Sequence, residues 1–263
     1  MRVKLSISNI AWSKEYNEEM YNYISYLGFN GLEIAPTRLF DNPYEYLDDA
    51  RKYKEYLNDN YSLEISSIQS IWFGKSEKLF GSDTERKILL EYTYKAIDFA
   101  ATIGCRNLVF GSPKNRVISK KDDNEIAINF FRTLGEYALQ KKTILSIEPN
   151  PELYGTNFIN TTKEAFDFVK RVNHSGIMVN VDLGTVIENN EDINLIKENI
   201  EFVNHIHISE PNLELIQQRT LHNNFADILK EINYQNYVSI EMKNLENKNQ
   251  VKEIMKYIME VFK

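Results

Sequence analysis

The sequence predicts a (β/α)8 TIM barrel built as one domain over residues 1–263. Three observations lead there. The length of 263 residues matches the roughly 250 at which an eight-stranded α/β barrel closes. About eight short runs rich in β-branched residues recur along the chain, separated by longer stretches with helical spacing. Four of those runs end in a ligand-type side chain, Glu148, Asp182, His207 and Glu241, spaced 34, 25 and 34 residues apart, close to one βα unit.

Taken in order, the first strand is expected over Val3 to Ser8, where apolar and polar residues alternate, and the second over Gly31 to Ala35. The third spans Glu64 to Ser70. Asp83 to Ile103 then places Ile88, Leu89, Tyr92, Ala96, Phe99, Ala100 and Ile103 on one face, as an amphipathic helix does. Strands four and five are Asn107 to Gly111 and Ile144 to Glu148. Thr161 or Thr162, followed by Glu164 and then Phe166, Phe168 and Val169, reads as a capped helix start. Ile177 to Asp182, Asn204 to Ile208 and Tyr237 to Glu241 complete the strands, and Val251 to Phe262 ends the chain with another apolar stripe. No Pro/Gly/Ser-rich linker divides the sequence. The competing architecture is an open doubly wound sheet, but no Gly-x-Gly-x-x-Gly follows the first strand to bind a dinucleotide there.

Composition narrows the function. No apolar stretch approaches the roughly 18 residues of a membrane span, so no membrane role is expected. The start, Met1-Arg-Val-Lys-Leu-Ser-Ile-Ser8, lacks the pattern of a secretory signal, and the expected location is the cytoplasm. Cys105 is the only cysteine; it rules out an internal disulfide and has no activating base near it in sequence, so inert packing is expected. A net charge of −7 and a pI near 5.3 argue against a nucleic-acid partner, whose phosphates demand Lys and Arg.

Strand parity separates two faces. Leu145 and Ile147, Val179 and Val181, Ile206 and Ile208, and Val238 and Ile240 share one, which suits contact with outer helices. Ser146 accompanies Glu148, Asn180 accompanies Asp182, His205 accompanies His207, and Tyr237 and Ser239 accompany Glu241 on the other. The four ligand candidates therefore share the inner face and the C-terminal end, where barrel active sites form. Three carboxylates and an imidazole suit one divalent ion among Mn²⁺, Co²⁺, Mg²⁺ and Zn²⁺. For each residue alone, the competing reading is a cap or salt bridge in the loop after a strand.

With these residues in view, the chain resembles the xylose-isomerase-like barrel superfamily of sugar and sugar-phosphate isomerases and epimerases, which also includes inosose dehydratases and AP-endonuclease-type nucleases. The resemblance spans nearly the whole chain. It is most specific in Ile147-Glu-Pro-Asn-Pro151 through Tyr154-Gly155, Val181-Asp-Leu-Gly184, His205-Ile-His-Ile-Ser-Glu210 and Ile240-Glu-Met-Lys243. It implies that Glu148, Asp182, His207 and Glu241 bind one divalent metal and that Glu148 and Glu241 also act as the acid/base pair. A small carbohydrate substrate and a homodimer are implied with it.

Removing a proton from carbon next to a carbonyl requires a placed base and stabilisation of the enolate oxygen. Two carboxylates on opposite sides of a cis-enediolate give epimerisation, one acting between adjacent carbons gives isomerisation, and expulsion of a hydroxyl gives an inosose-dehydratase-like lyase. The residues fit all three. An AP-endonuclease-like hydrolase resembles a multi-zinc site rich in histidine, which four histidines in total can hardly furnish. A non-catalytic binding barrel is the remaining alternative.

The substrate grip differs from that of the ketose 3-epimerases, where a His three positions after the metal Asp and an Arg six after the metal His hold substrate. Here those positions are Thr185 and Leu213. Lys114 and Arg116 beyond the fourth strand, with Arg38 after the second, are candidates to hold a phosphate or uronate carboxylate; solvated turn charges are the bland reading. Trp12, Trp72, Phe73 and Tyr154 are candidates for an apolar sugar wall, against ordinary loop packing. Asn150 and Glu210, within the motifs above, join the substrate-binding candidates. His205 is expected in a supporting or core role, Glu33 as a polar contact below the site, and His174 and His222 at the surface.

Overall fold

The computed structural model describes residues 3–119 and 123–262, with the side chain of Asp123 left aside. Eight parallel strands close in sequential order: β1 (Lys4–Ser8), β2 (Gly31–Ile34), β3 (Glu64–Ile68), β4 (Asn107–Phe110), β5 (Ile144–Ile147), β6 (Ile177–Asp182), β7 (Val203–Ile208) and β8 (Tyr237–Ile240). β8 pairs with β1 through Lys4 opposite Tyr237 and Ile7 opposite Ile240, which seals the (β/α)8 barrel. Several expected strands end one or two residues early, because the ladder stops where the chain turns outward; Glu148 and Glu241 sit just past the last ladder residues.

Between the strands run α1 (Asn17–Leu27), α2 (Leu47–Tyr61), α3 (Asp83–Thr102), α4 (Asp123–Gln140), α5 (Thr162–Val172), the short α6 (Leu183–Glu188) and α7 (Asn194–Glu198), and α8 (Thr220–Glu231). The last helix, α9 (Lys248–Val261), follows β8. The α5 start is a reciprocal cap, with Glu164 N donating to Thr161 Oγ1 at 3.1 Å and Thr161 N donating to Glu164 Oε2 at 3.1 Å. On α3 the buried stripe is Leu89, Thr93, Ala96, Ile97, Phe99 and Ala100. Ile88 lies off it, 38% exposed, because a residue one step from Leu89 is rotated by about 100° around the helix.

The apolar core lies between sheet and helices. Ile7, Leu32, Leu108, Leu145, Val179, Ile206 and Val238 point outward into it and are buried. The barrel axis is filled instead with small and polar groups. Asn107 Nδ2 donates to Ser67 Oγ at 2.8 Å, and Ser146 Oγ and Asn204 Nδ2 donate to Asn107 Oδ1 at 2.5 and 2.6 Å. Gly31 is needed there, since a Cβ would come within 2.6 Å of the Tyr237 ring and 2.7 Å of Ser66 Cβ. No helix among the described residues is long and apolar enough to cross a membrane. Cys105 is buried, its thiol pushed up to about 12 by burial, so it remains an unreactive packing residue.

Candidate metal centre

At the C-terminal mouth of the barrel, β5, β6, β7 and β8 bring Glu148, Asp182, His207 and Glu241 together, with one ligand atom of each within 4.8 Å of the others. His207 Nδ1 lies 2.9 Å from Glu148 Oε1 and 3.1 Å from Glu241 Oε2. Each side chain is held by neighbours. Asn180 Nδ2 donates to Glu148 Oε1 at 2.7 Å and lies 3.2 Å from His207 Nδ1. Asp182 caps α6: its Oδ2 accepts from both Thr185 N and Thr185 Oγ1 at 2.8 Å, and its Oδ1 accepts from Ser209 Oγ.

Beneath them is a second buried group. Glu33 is fully buried and its Oε2 lies 3.0 Å from His207 Nε2 and 2.9 Å from His205 Nε2, while Gln69 Nε2 donates to its Oε1 at 3.2 Å. Burial pushes the Glu33 carboxyl up, yet the two histidines outweigh it and hold the group well below the usual carboxylate range. With His207 Nε2 directed to that carboxylate, the Nδ1 side is the one presented to the mouth.

The mouth is electrostatically crowded. Burial, reinforced by the charge of Glu148 and opposed by His207, pushes the Glu241 carboxyl up to about 7. Asp182 is raised for the same first reason, with Glu148 adding to it and the Ser209 and Thr185 bonds opposing. Burial drives His207 down, but Glu241, Glu33 and Glu148 together hold it well above its usual value. Among the described residues, the ion pairs of Glu148 and Glu241 are both to His207. Three converging carboxylates and one imidazole nitrogen, with no Lys or Arg head group paired to them, fit a divalent cation.

A cavity of about 220 Å³ opens onto these groups. Its walls include Gln69, Ser70, Ser112, Asn150, Tyr154 and Leu213. Asn150 Nδ2 donates to Glu148 Oε2 at 3.3 Å, and the Tyr154 hydroxyl accepts from Asn212 N at 2.8 Å. Gly111 also lines it, and a Cβ there would stand 2.6 Å from Glu148 Oε2.

The structure disperses the other substrate candidates. Trp12 is buried, with Nε1 donating to Asn17 Oδ1 at 3.0 Å, and the half-buried Arg38 donates to the Trp12 carbonyl. Trp72 is buried on Phe110 and Phe130, with Nε1 donating to Thr93 Oγ1 at 2.8 Å. Arg116 is buried beneath the cavity floor, where Nη2 donates to the Glu148 carbonyl and Asn150 Oδ1, each at 2.8 Å; burial lowers its pKa to about 9. Glu210 is tied to Arg219 at 2.5 and 2.7 Å and accepts from Gln217 N at 3.0 Å. Lys114 is exposed beside the cavity and Phe73 is 70% exposed. His174 is half-buried, accepting from Gly176 N at 3.1 Å. Contrary to its expected surface position, His222 is buried, because Tyr257 supplies a hydroxyl 2.9 Å from its Nδ1. Sequence reasoning missed Gln69, Ser70 and Ser112 as wall residues: the first two are expected as the end of the third strand, whose ladder stops at Ile68, and Ser112 lies on a loop with no periodicity to mark it. Thr185, where the ketose 3-epimerases have a substrate-holding His, instead gives its backbone N–H to the Asp182 cap of α6, three positions before it.

Comparison with known proteins gives the following. The family described as "Xylose isomerase-like TIM barrel" matches residues 22–261. Among solved structures, the apo 3-keto-D-glucoside 4-epimerase YcjR from E. coli is similar at 17% identity and a TM-score of 0.77, covering 98% of this chain and 99% of that one. The D-psicose 3-epimerase from Clostridium cellulolyticum H10 is similar at 18% and 0.75, covering 98% and 96%. An AP endonuclease of family 2 from Brucella melitensis is similar at 19% and 0.76, covering 96% of each. At these identities the likeness is one of fold. No curated protein sequence matches the chain significantly.

Proposed function

The chain belongs to the xylose isomerase-like TIM barrel family, and from that premise we propose that it is a divalent-metal-dependent sugar isomerase or epimerase. The observation that carries this reading is the approach of Glu148, just past β5, and Glu241, just past β8, to His207 Nδ1 at the rim of one cavity. The sugar epimerases among the similar structures support it.

Glu148, Asp182, His207 and Glu241 are the residues that would hold the metal. When bound, the cation supplies Lewis-acid polarisation of a carbonyl and a template for the hydroxycarbonyl unit. Glu148 and Glu241 are the proton carriers: one takes the proton from carbon next to the carbonyl and the other returns one to the cis-enediolate. Asn180 and Asn150 fix the Glu148 carboxylate, and Thr185 and Ser209 fix Asp182, so that neither must be ordered during reaction.

The test is solvent exchange. Protein stripped with chelator and reloaded with Mn²⁺ or Co²⁺ should introduce deuterium from D₂O next to the carbonyl of a ketose or its derivative. Glu148→Gln and Glu241→Gln should each lower that rate by about 10²- to 10⁴-fold, the range for a lost acid/base group. Absence of exchange across free sugars, sugar phosphates and uronates would abandon the reading, and a product lighter by one water would replace it with dehydration.

A further inference from the structure

A second cavity of about 350 Å³ adjoins the first. It lies between the loop after β3 and the turn after β4, and four hydrogen bonds stitch these together. Asn115 Nδ2 donates to the Lys75 and Glu77 carbonyls at 3.0 and 2.8 Å, Leu79 N to the Asn115 carbonyl at 2.8 Å, and Lys78 Nζ to the Lys114 carbonyl at 2.6 Å. Its shape is therefore built in rather than left to mobile side chains.

Ser70, Ser112 and Pro113 line both cavities. Ser70 has φ 55° and Ser112 has φ 45°, left-handed conformations that favour glycine and are strained in a side-chain-bearing residue. Both strained residues stand where the two cavities share their lining.

The charges lining the two cavities are opposite. In the first they are Glu148, Asp182 and Glu241; in the second they are Lys75 and Lys114. Among the described residues neither lysine has a carboxylate partner, and Lys75 Nζ lies instead over the Tyr92 ring at 4.2 Å. Phe73, 70% exposed, gives the second cavity an apolar face. An anion is repelled from the carboxylate mouth and drawn to the lysines, which would fix which end of a molecule reaches Glu148 and Glu241.

We propose that the second cavity binds an anionic group on the non-reacting end of the substrate, a phosphate ester or a carboxylate, with Phe73 covering the carbon chain between. Lysine, a point charge with rotatable donors, accepts either anion. The proposal rests on the isomerase/epimerase reading for the word substrate, but its test does not require turnover.

Metal-free protein held in chelator is titrated calorimetrically with inorganic phosphate, D-fructose 6-phosphate, D-glucuronate and neutral D-fructose. At least one sugar anion should bind tenfold or more tightly than D-fructose. Lys75→Ala/Lys114→Ala should lose at least tenfold affinity for it while keeping the wild-type Tm and the wild-type affinity for Mn²⁺. The tighter of the two sugar anions identifies phosphate or carboxylate as the source. Equal binding of neutral and anionic ligands, or unchanged anion affinity in the double variant, overturns the proposal. Should the double variant lose Tm, Lys114→Ala alone and the fall of wild-type affinity with NaCl decide it. Failure of Mn²⁺ to bind the wild-type protein would sink the metal reading instead, and leaves this outcome separately readable.

Discussion

Glu33 Oε2 lies 3.0 Å from His207 Nε2, so one buried carboxylate on β2 orients the metal-ligand candidate on β7 from across the barrel axis. Support of this kind fixes the ring's tautomer and raises its basicity. Glu33→Gln should weaken Mn²⁺ binding by about 10- to 100-fold, the range for loss of a ligand's supporting partner. Calorimetry against the metal-stripped protein measures it, and an affinity within twofold of wild type would show that Glu33 merely fills space.

Gly111 sets the position of Glu148. Because a Cβ at 111 would stand 2.6 Å from Glu148 Oε2, Gly111→Ala must push that carboxylate out of its place. The expected outcome is a fall in solvent-exchange rate of about tenfold or more, since small misplacements of reacting groups have effects of that order. Thermal denaturation should change little, because Gly111 has no left-handed φ to lose. A large drop in Tm with the exchange rate retained would contradict this.

Thr185 donates twice to Asp182 Oδ2 and is fully buried. Thr185→Val keeps the backbone bond and removes the hydroxyl, whose single proton is shared between Asp182 Oδ2 at 2.8 Å and the Pro149 carbonyl at 2.9 Å. About 1–3 kcal/mol of stability should be lost, with weaker Mn²⁺ binding. Denaturant titration reads the first and calorimetry the second; wild-type values in both would remove Thr185 from the centre.

The titrating groups of the mouth predict a pH dependence of known sign. Glu241 sits at about 7 against an ordinary 4.5, and His207 well above 6.5. Both are raised in the fold, so the metal-free fold retains protons that the unfolded chain gives up. Their contribution to stability is full at low pH and is lost as pH rises, through about 7 for Glu241 and higher for His207. His205 and His222 are lowered, and therefore neutral in both states above 6.5, where they do not oppose the trend. A metal displaces the retained protons, so affinity should climb by up to roughly tenfold per pH unit for each proton released. The gain in Tm on adding Mn²⁺ should then be larger near pH 8.5 than near pH 6.5. A gain that is flat or falls over that span would contradict the assignment of His207 as a ligand.

The barrel and the convergence of Glu148, Asp182, His207 and Glu241 were legible because both follow from alternation. Val179 and Val181 facing out require Asn180 and Asp182 to face in, and the same parity on β5, β7 and β8 places Glu148, His207 and Glu241 at one mouth. The cavity walls were not legible because loops have no such rule. Trp12 and Arg38 lie just past strand ends, yet they turn back to satisfy Asn17 and the Trp12 carbonyl. Arg116 follows β4 but folds under Glu148, since the uncapped Glu148 carbonyl and Asn150 Oδ1 draw its guanidinium inward. His222 has the surroundings of a surface residue in sequence, yet it shares the buried face of α8 with Phe225 and Leu229 and meets Tyr257 of α9 at 2.9 Å.

Inward and outward residues of each strand belong to different systems here. Leu145, Ile147, Val179 and Ile206 pack in the apolar core, whereas Ser146 bonds to Asn107, Asn180 to Glu148 and His205 to Glu33. Exchange of an aliphatic residue should therefore lower folding stability and leave the mouth in place, while exchange of an inward one should disturb the mouth as well as stability. For directed evolution this partition separates two kinds of library: outward strand positions vary the packing against the helices, and inward ones vary the polar groups that lead to the mouth.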